Sequence, residues 1–381
     1  MSVDALDVFS GEQLERARRY HRPLYRALLL DLVLGIGVLA ILAFSRVGGA
    51  AFRLVDGGPW WLDTLAFVAV VVAISTLARL PLAFWRSYVH EKEWDLSTQT
   101  VSGWLADAAK AFAVALVLSW ISIGGLIVLA RSFPSWWPLV ASLGAAAFVL
   151  VAGFVAPVLL EPLFNRFEPL ADAELADGLR SLAQKAGTPV RDVLVADASR
   201  RTKKANAYVS GFGATRRVVL FDTLLERSGP RAVKLVIAHE LGHRHDRHVV
   251  KGTALGMLGA IGAVLAMWGL LRSADLRAAV GVSRAGDPRV APFVMLVALV
   301  LELLALPLVT ALSRRWERAA DRFSLEITRD PEAFESAFRE FATANLSDLQ
   351  PPRALYVLTF THPTPVERIA AARRWGTTGA A

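Results

Sequence analysis

Apolar positions along the chain fall into six long runs separated by polar segments, at approximately 25–45, 62–85, 109–130, 136–160, 252–272 and 290–312. Crossing a hydrocarbon core of roughly 30 Å takes about 20 helical residues, so each run predicts a transmembrane helix. Trp60, Trp61, Trp85, Trp136 and Trp137 stand at run ends, where amphipathic rings meet the headgroup layer. A mostly polar segment precedes the first run and no small-residue cleavage site follows it, so that run reads as a retained anchor rather than a cleaved signal.

Between the fourth and fifth runs the pattern changes to that of a soluble α+β unit. Residues 172–186 alternate at helical period and end on Gly187, a C-terminal cap. Residues 190–195 read as a strand. Residues 206–212 and 217–221 flank Gly213-Ala214-Thr215 and read as a β-hairpin. Ser228 before Gly229-Pro230 predicts an N-cap and the start of another helix. Beyond residue 313 the polar tail is helical again: 313–328, then a helix opened by Asp330-Pro331 and one opened by Thr364-Pro365. The organisation is therefore a polar N-terminal segment (1–24), a four-span region (25–160), an α+β domain (161–251), a two-span hairpin (252–312) and a helical tail (313–381).

Composition agrees with this reading. Apolar residues make up 54% and charged residues only 20%, beyond what a soluble domain carries. The chain has no cysteine, which excludes disulfides, thiolate metal sites and a cysteine nucleophile. A net charge of +8 raises nucleic-acid binding. The basic residues are spread over the loops rather than gathered in a stripe with interleaved aromatics, so that class is set aside. Membrane orientation explains them better. Arg16, Arg18, Arg19, Arg22 and Arg26 cluster before and at the start of the first run and direct both termini and the α+β domain to the cytoplasmic side, against the pull of a basic cluster at 272–289.

The candidate chemistry lies at His239-Glu240-Leu241-Gly242-His243. Histidines four apart on a helix sit within about 40° of each other, one turn apart. Both imidazoles then reach one ion while Glu240 points at its water. A surface helix end decorated with histidines is the plain alternative, since His245 and His248 follow. Catalytic zinc requires a third protein ligand and one open position. On a continuing helix His245 lies about 240° and His248 about 180° from His239, so neither joins the same ion. Asp246 is on the correct face but crowded against the second histidine. Position 249 is Val, which excludes the metzincin pattern. Downstream, Glu317 and Asp321 stand four apart on one helix face. Paired with the histidines, Glu317 is favoured as the third ligand over an ordinary charged face among Arg314, Arg315, Arg318 and Arg322. Asp321 is then placed to accept a hydrogen bond from a ligand imidazole.

These motifs resemble the type I CAAX prenyl proteases, the integral membrane zinc endopeptidases that include the prelamin-processing enzyme. Further matches are Asn206-Ala207-Tyr208, Val219-Leu220-Phe221-Asp222-Thr223-Leu224-Leu225, Thr361-His362-Pro363 before Glu367-Arg368, Ala156-Pro157 ahead of Leu163-Phe164-Asn165-Arg166-Phe167, and Glu91-Lys92. The resemblance implies an α-helical integral membrane protein, with about six transmembrane helices around a water-filled chamber capped by an α+β zincin-like metalloprotease domain. It implies one Zn2+ per chain on His239, His243 and Glu317, with Glu240 as the catalytic carboxylate. It also implies that Asn206 contacts the substrate backbone and that His362 stabilises the reacting carbonyl. Without it, Asn206 reads as a strand start and His362 as a turn residue before Pro363. Members of the family in eukaryotes have seven spans; this chain shows six, and lacks the hydrophilic insertion before HExxH.

The expected function is hydrolysis of peptide bonds by zinc-activated water, with peptide or protein substrates, prenylated or not, and the lipid bilayer as partners. A general quality-control membrane metalloprotease is the alternative within the same chemistry. A transporter is a second class, raised by Arg79 and Glu302 inside spans and by Asp107 and Lys110 at the edge of another. Nothing in it calls for HExxH with a distant glutamate. A catalytically inactive scaffold or membrane chaperone is a third, opposed by the intact ligand set. The expected location is the cell membrane of a bacterium or an endoplasmic-reticulum-type membrane of a eukaryote.

Overall fold

The computed structural model describes residues 4–211 and 216–378. Among the described residues six helices are long and apolar enough to cross a membrane: Gly11–Phe44, Trp60–Glu93, Val101–Ser132, Trp137–Phe164, His248–Arg272 and Pro288–Thr328. Each expected run lies in one of them, and several helices extend well past their apolar stretch. The polar residues from Gly11 onward are already helical, because Ser10 and Gln13 form a capping box with bonds of 3.2 and 2.9 Å. At the other end, the helix Ala291–Thr328 runs unbroken from the sixth span into the tail. Its 38 residues reach roughly 57 Å, far beyond one hydrocarbon core.

The spans pack around Phe67, Val68, Val71, Ile127, Val290 and Phe293. Leu29, Val33, Leu77, Ile121, Leu143, Val151, Leu258, Leu304 and Leu308 are exposed on the outer faces, as lipid-facing side chains are. Arg79 finds its partner on the first span, a bidentate pair with Asp31 at 2.7 and 2.6 Å. Glu302 is exposed on the sixth span. Asp107 and Lys110 serve the joint between membrane and soluble parts: Lys110 donates to Leu163 O at 3.0 Å, and Asp107 accepts from Gln99 at 2.7 Å.

The soluble part is built on a four-stranded sheet, β1 (Phe167–Pro169), β2 (Asp192–Ala196), β3 (Ala207–Ser210) and β4 (Arg217–Phe221), in the order β1-β2-β4-β3. β2 runs parallel to β4, and β3 pairs antiparallel with β4 as the expected hairpin, Ala207 opposite Leu220. The turn residues Gly213-Ala214-Thr215, with Phe212, lie outside the described residues. Helix Ala173–Lys185 ends where Gly187 takes φ +67°. It packs with Val218, Leu220, Val233, Ile237 and Leu241 in one core. Helix Pro230–His245 carries HExxH, and its cap is Gly229 rather than Ser228; the Ser228 hydroxyl is buried and makes no capping bond. Asp330 caps Pro331–Ala344, and Thr364 with Glu367 caps Pro365–Thr378.

Sheet and membrane are lashed together by half-buried polar groups. A π-type turn at Ala156–Leu160 interrupts the fourth span near its end, and the Pro157 carbonyl there accepts from Arg217 at 2.9 Å. Glu161, one turn on, accepts from Tyr208, Ser210 and Arg217 at 3.2, 2.9 and 3.0 Å. Glu91, at the end of the second span, is held by Tyr20 of the first span and by Lys204 at 3.0 Å.

Candidate metal centre

Two helices build the centre. The helix Pro230–His245 presents His239 and His243 from successive turns, and the helix Ala291–Thr328 presents Glu317. They approach closely because position 242 is glycine: a Cβ there would lie 3.0 Å from Ala320 Cα and 3.2 Å from its carbonyl oxygen. The buried Ser324 hydroxyl donates to Leu235 O at 3.0 Å, which fixes the helices along their length.

The result is a tight triangle. His239 Nε2 lies 3.2 Å from His243 Nε2 and 3.2 Å from Glu317 Oε2, and His243 Nε2 lies 3.2 Å from Glu317 Oε1. Ligand atoms in a tetrahedral zinc shell stand about 3.3 Å apart. With the His239 proton on Nδ1 toward Asp321, the buried Glu317 Oε2 has no hydrogen-bond donor among the described residues, a costly state for a carboxylate oxygen that a cation relieves. Among the described residues this is a group of side chains able to hold a metal ion, and its donor set fits zinc. Asp246 is not in the group; it turns toward His248 Nε2 at 3.7 Å. His245 is exposed, with its ring against Phe323.

Asp321 stands where expected, its Oδ1 2.9 Å from His239 Nδ1. The sequence reading assigned no role to Arg368, which grips the same carboxylate through Nε at 2.9 Å and a second nitrogen, and lies 3.1 Å from His239 Nδ1. Burial and the Arg368 charge pull the His239 pKa down. The Asp321 and Glu317 carboxylates outweigh them and raise it to about 9. The usual periodicities give no signal for Arg368, since it comes from the last helix.

A cleft of about 480 Å3 reaches the triangle at His239 and is lined also by Glu240, His362, Asn206 and Arg368 among others. His362 Nε2 lies 3.3 Å from Glu317 Oε1, and its Nδ1 lies 2.8 Å from the Thr361 hydroxyl. Burial lowers its pKa, opposed by the Glu317 charge. Asn206 is exposed at the head of β3, its side-chain oxygen accepting from Ala207 N–H at 2.9 Å. Asn345 brackets the preceding residue, bonding Ala205 N–H at 3.0 Å and Ala205 O at 3.1 Å, and so pins the start of that strand. The structure thus brings Glu240, His362 and Asn206 together around one opening, with His239 of the triangle in its wall.

A zincin-like centre set at the mouth of a helical membrane bundle defines a class, the membrane metallopeptidases. Residues 169–376 match Peptidase family M48, and residues 4–166 match the CAAX prenyl protease N-terminal region, described as having five membrane helices; this chain presents four in that stretch. The chain belongs to peptidase family M48 and is an integral membrane zinc metalloendopeptidase of the CAAX prenyl protease-like type. It is 31% identical over 316 residues to the uncharacterized metalloprotease YhfN of Bacillus subtilis, covering 82% of this chain and 74% of the relative. It is 32% identical over 194 residues to CAAX prenyl protease 1 of Saccharomyces cerevisiae, covering 49% and 42%. The crystal structure of S. mikatae Ste24p superposes with a TM-score of 0.82 over 98% of this chain and 92% of that one, at 22% identity, which establishes a shared fold.

Proposed function

We propose that His239, His243 and Glu317 hold the zinc ion and that Glu240 is the general base of peptide hydrolysis. The observation that carries this reading is the triangle itself, whose His239 lines the same cleft as Glu240 and His362 and whose Glu317 lies 3.3 Å from His362. Bound there, zinc supplies a polarised carbonyl and a water of lowered pKa. Glu240 accepts the water's proton and returns it to the leaving amine. His362, on the open side of Glu317, donates to the oxygen on which charge develops. Asp321 holds His239 with its proton on Nδ1, leaving Nε2 free to bind metal.

β3 is the outer strand of the sheet, and Asn206 O is bonded to Phe221 N–H on its inner side. Ala207 and Val209 therefore turn their backbone groups outward. Arg244 already holds Val209 O at 2.6 Å. An extended peptide would add to the remaining edge by β-augmentation, with Asn206 at its start. The substrate class proposed is the prenylated CAAX-type peptide, supported by the names of the relatives, with the catalytic side facing the cytoplasm. Glu240→Gln should keep its zinc and lose cleavage of such a peptide. Full activity in that variant would refute the mechanism, and equal turnover of unprenylated peptide would refute the substrate class.

A further inference from the structure

On a straight helix His248 points away from the metal. The chain does not stay straight: the HExxH helix ends at His245, Asp246 caps it, and Arg247 adopts φ +56° before the fifth span starts at His248. A left-handed turn at a residue with a Cβ is held only where surrounding contacts fix it. Here it folds His248 back under the centre, where it is buried. Its Nδ1 lies 3.0 Å from His243 Nδ1, on the side of the ring opposite the ligand triangle. Its ring stacks on Trp316, centroids 5.1 Å apart and planes at 15°. Trp316 immediately precedes Glu317, and its indole lies against the fifth span at Gly252. His248 thus touches His243 itself and the residue next to Glu317, on two different helices.

We propose that His248 is a positioning residue for the metal: it accepts the Nδ1–H of His243, fixing that ring with Nε2 free to ligate, and clamps the Trp316-Glu317 segment against it. The role rests on the proposed ligand set. A proton must sit on His243 Nδ1 for Nε2 to bind metal, and a proton there needs an acceptor. Asp321 serves His239 in this way. For His243 the facing atom is the His248 ring nitrogen, whose ring proton then sits on Nε2 toward Asp246. The two ligand histidines are therefore oriented by different chemistry, one by a carboxylate and one by a neutral imidazole.

The test is the zinc affinity of the full chain in detergent, read by competition with a chromophoric chelator. His248→Phe keeps a ring against Trp316 and removes the acceptor; it should bind zinc about 10–100-fold more weakly. His248→Gln restores a side-chain acceptor and should recover most of that loss. Wild-type affinity in the Phe variant would overturn the proposal, as would a Gln variant no better than Phe, which would make the role one of packing. A wild-type chain that binds no zinc would instead refute the ligand set on which the proposal rests.

Discussion

Gly242 and Ala320 are in backbone contact: a Cβ on the first would come within 3.0 Å of the Cα of the second. This single approach sets the distance between the helix that carries the two histidines and the helix that carries the glutamate. It joins a helix that precedes the fifth span to one that leaves the sixth. The proposed metal centre is thus assembled across a transmembrane hairpin.

Gly242→Ala places a methyl group against backbone that cannot swing aside. Overpacking of this kind costs about 1–3 kcal/mol, and the helices must part by some tenths of an ångström. Thermal unfolding should shift down and zinc affinity should fall together. A variant with wild-type zinc affinity would show that the close approach does not govern the ligand geometry.

Arg368→Ala removes one partner of a carboxylate that is almost wholly buried. Asp321 keeps His239 as its other partner, so the loss stays below the roughly 3–5 kcal/mol of a buried charge left with none. The Tm in detergent should drop well below that of Arg373→Ala, which breaks a more exposed pair with Glu335. Equal Tm values for the two variants would contradict the role given to Arg368.

Zinc binding should depend on pH through His239. Before metal binding its pKa is raised to about 9, so at neutral pH the ring carries a proton that zinc must displace from Nε2. The sign follows: affinity rises with pH and falls as protons compete below about pH 9, by about tenfold per unit for one displaced proton. Chelator competition between pH 6 and 8 reads this slope. A flat profile would mean that no proton is released.

Much of this was legible in the sequence because membrane spans and HExxH are written in local patterns. Apolar runs marked the spans, since nothing shorter satisfies its backbone in lipid. The four-residue spacing fixed the relation of His239 to His243, and four-residue spacing again singled out Glu317 with Asp321. What stayed hidden depends on where the chain bends or on contacts between distant segments. The angular reading of His248 assumed a continuing helix, and neither glycine nor proline announced the turn at Arg247. Ser228 looked like a cap by residue type, but the chain enters the helix one position later. Asp31 could not be assigned to Arg79, nor Arg368 to Asp321, without the packing of helices far apart in sequence. β1 is three residues long and exists through its pairing with β2.

The central claim is that Glu317 completes the zinc site from beyond the transmembrane hairpin, and zinc content tests it directly. Metal analysis of purified wild-type protein should give about one zinc per chain. Glu317→Ala, folded by its Tm, should retain almost none after brief dialysis against a chelator that leaves the wild-type metal in place. A Glu317→Ala chain that kept its zinc under those conditions would contradict the account.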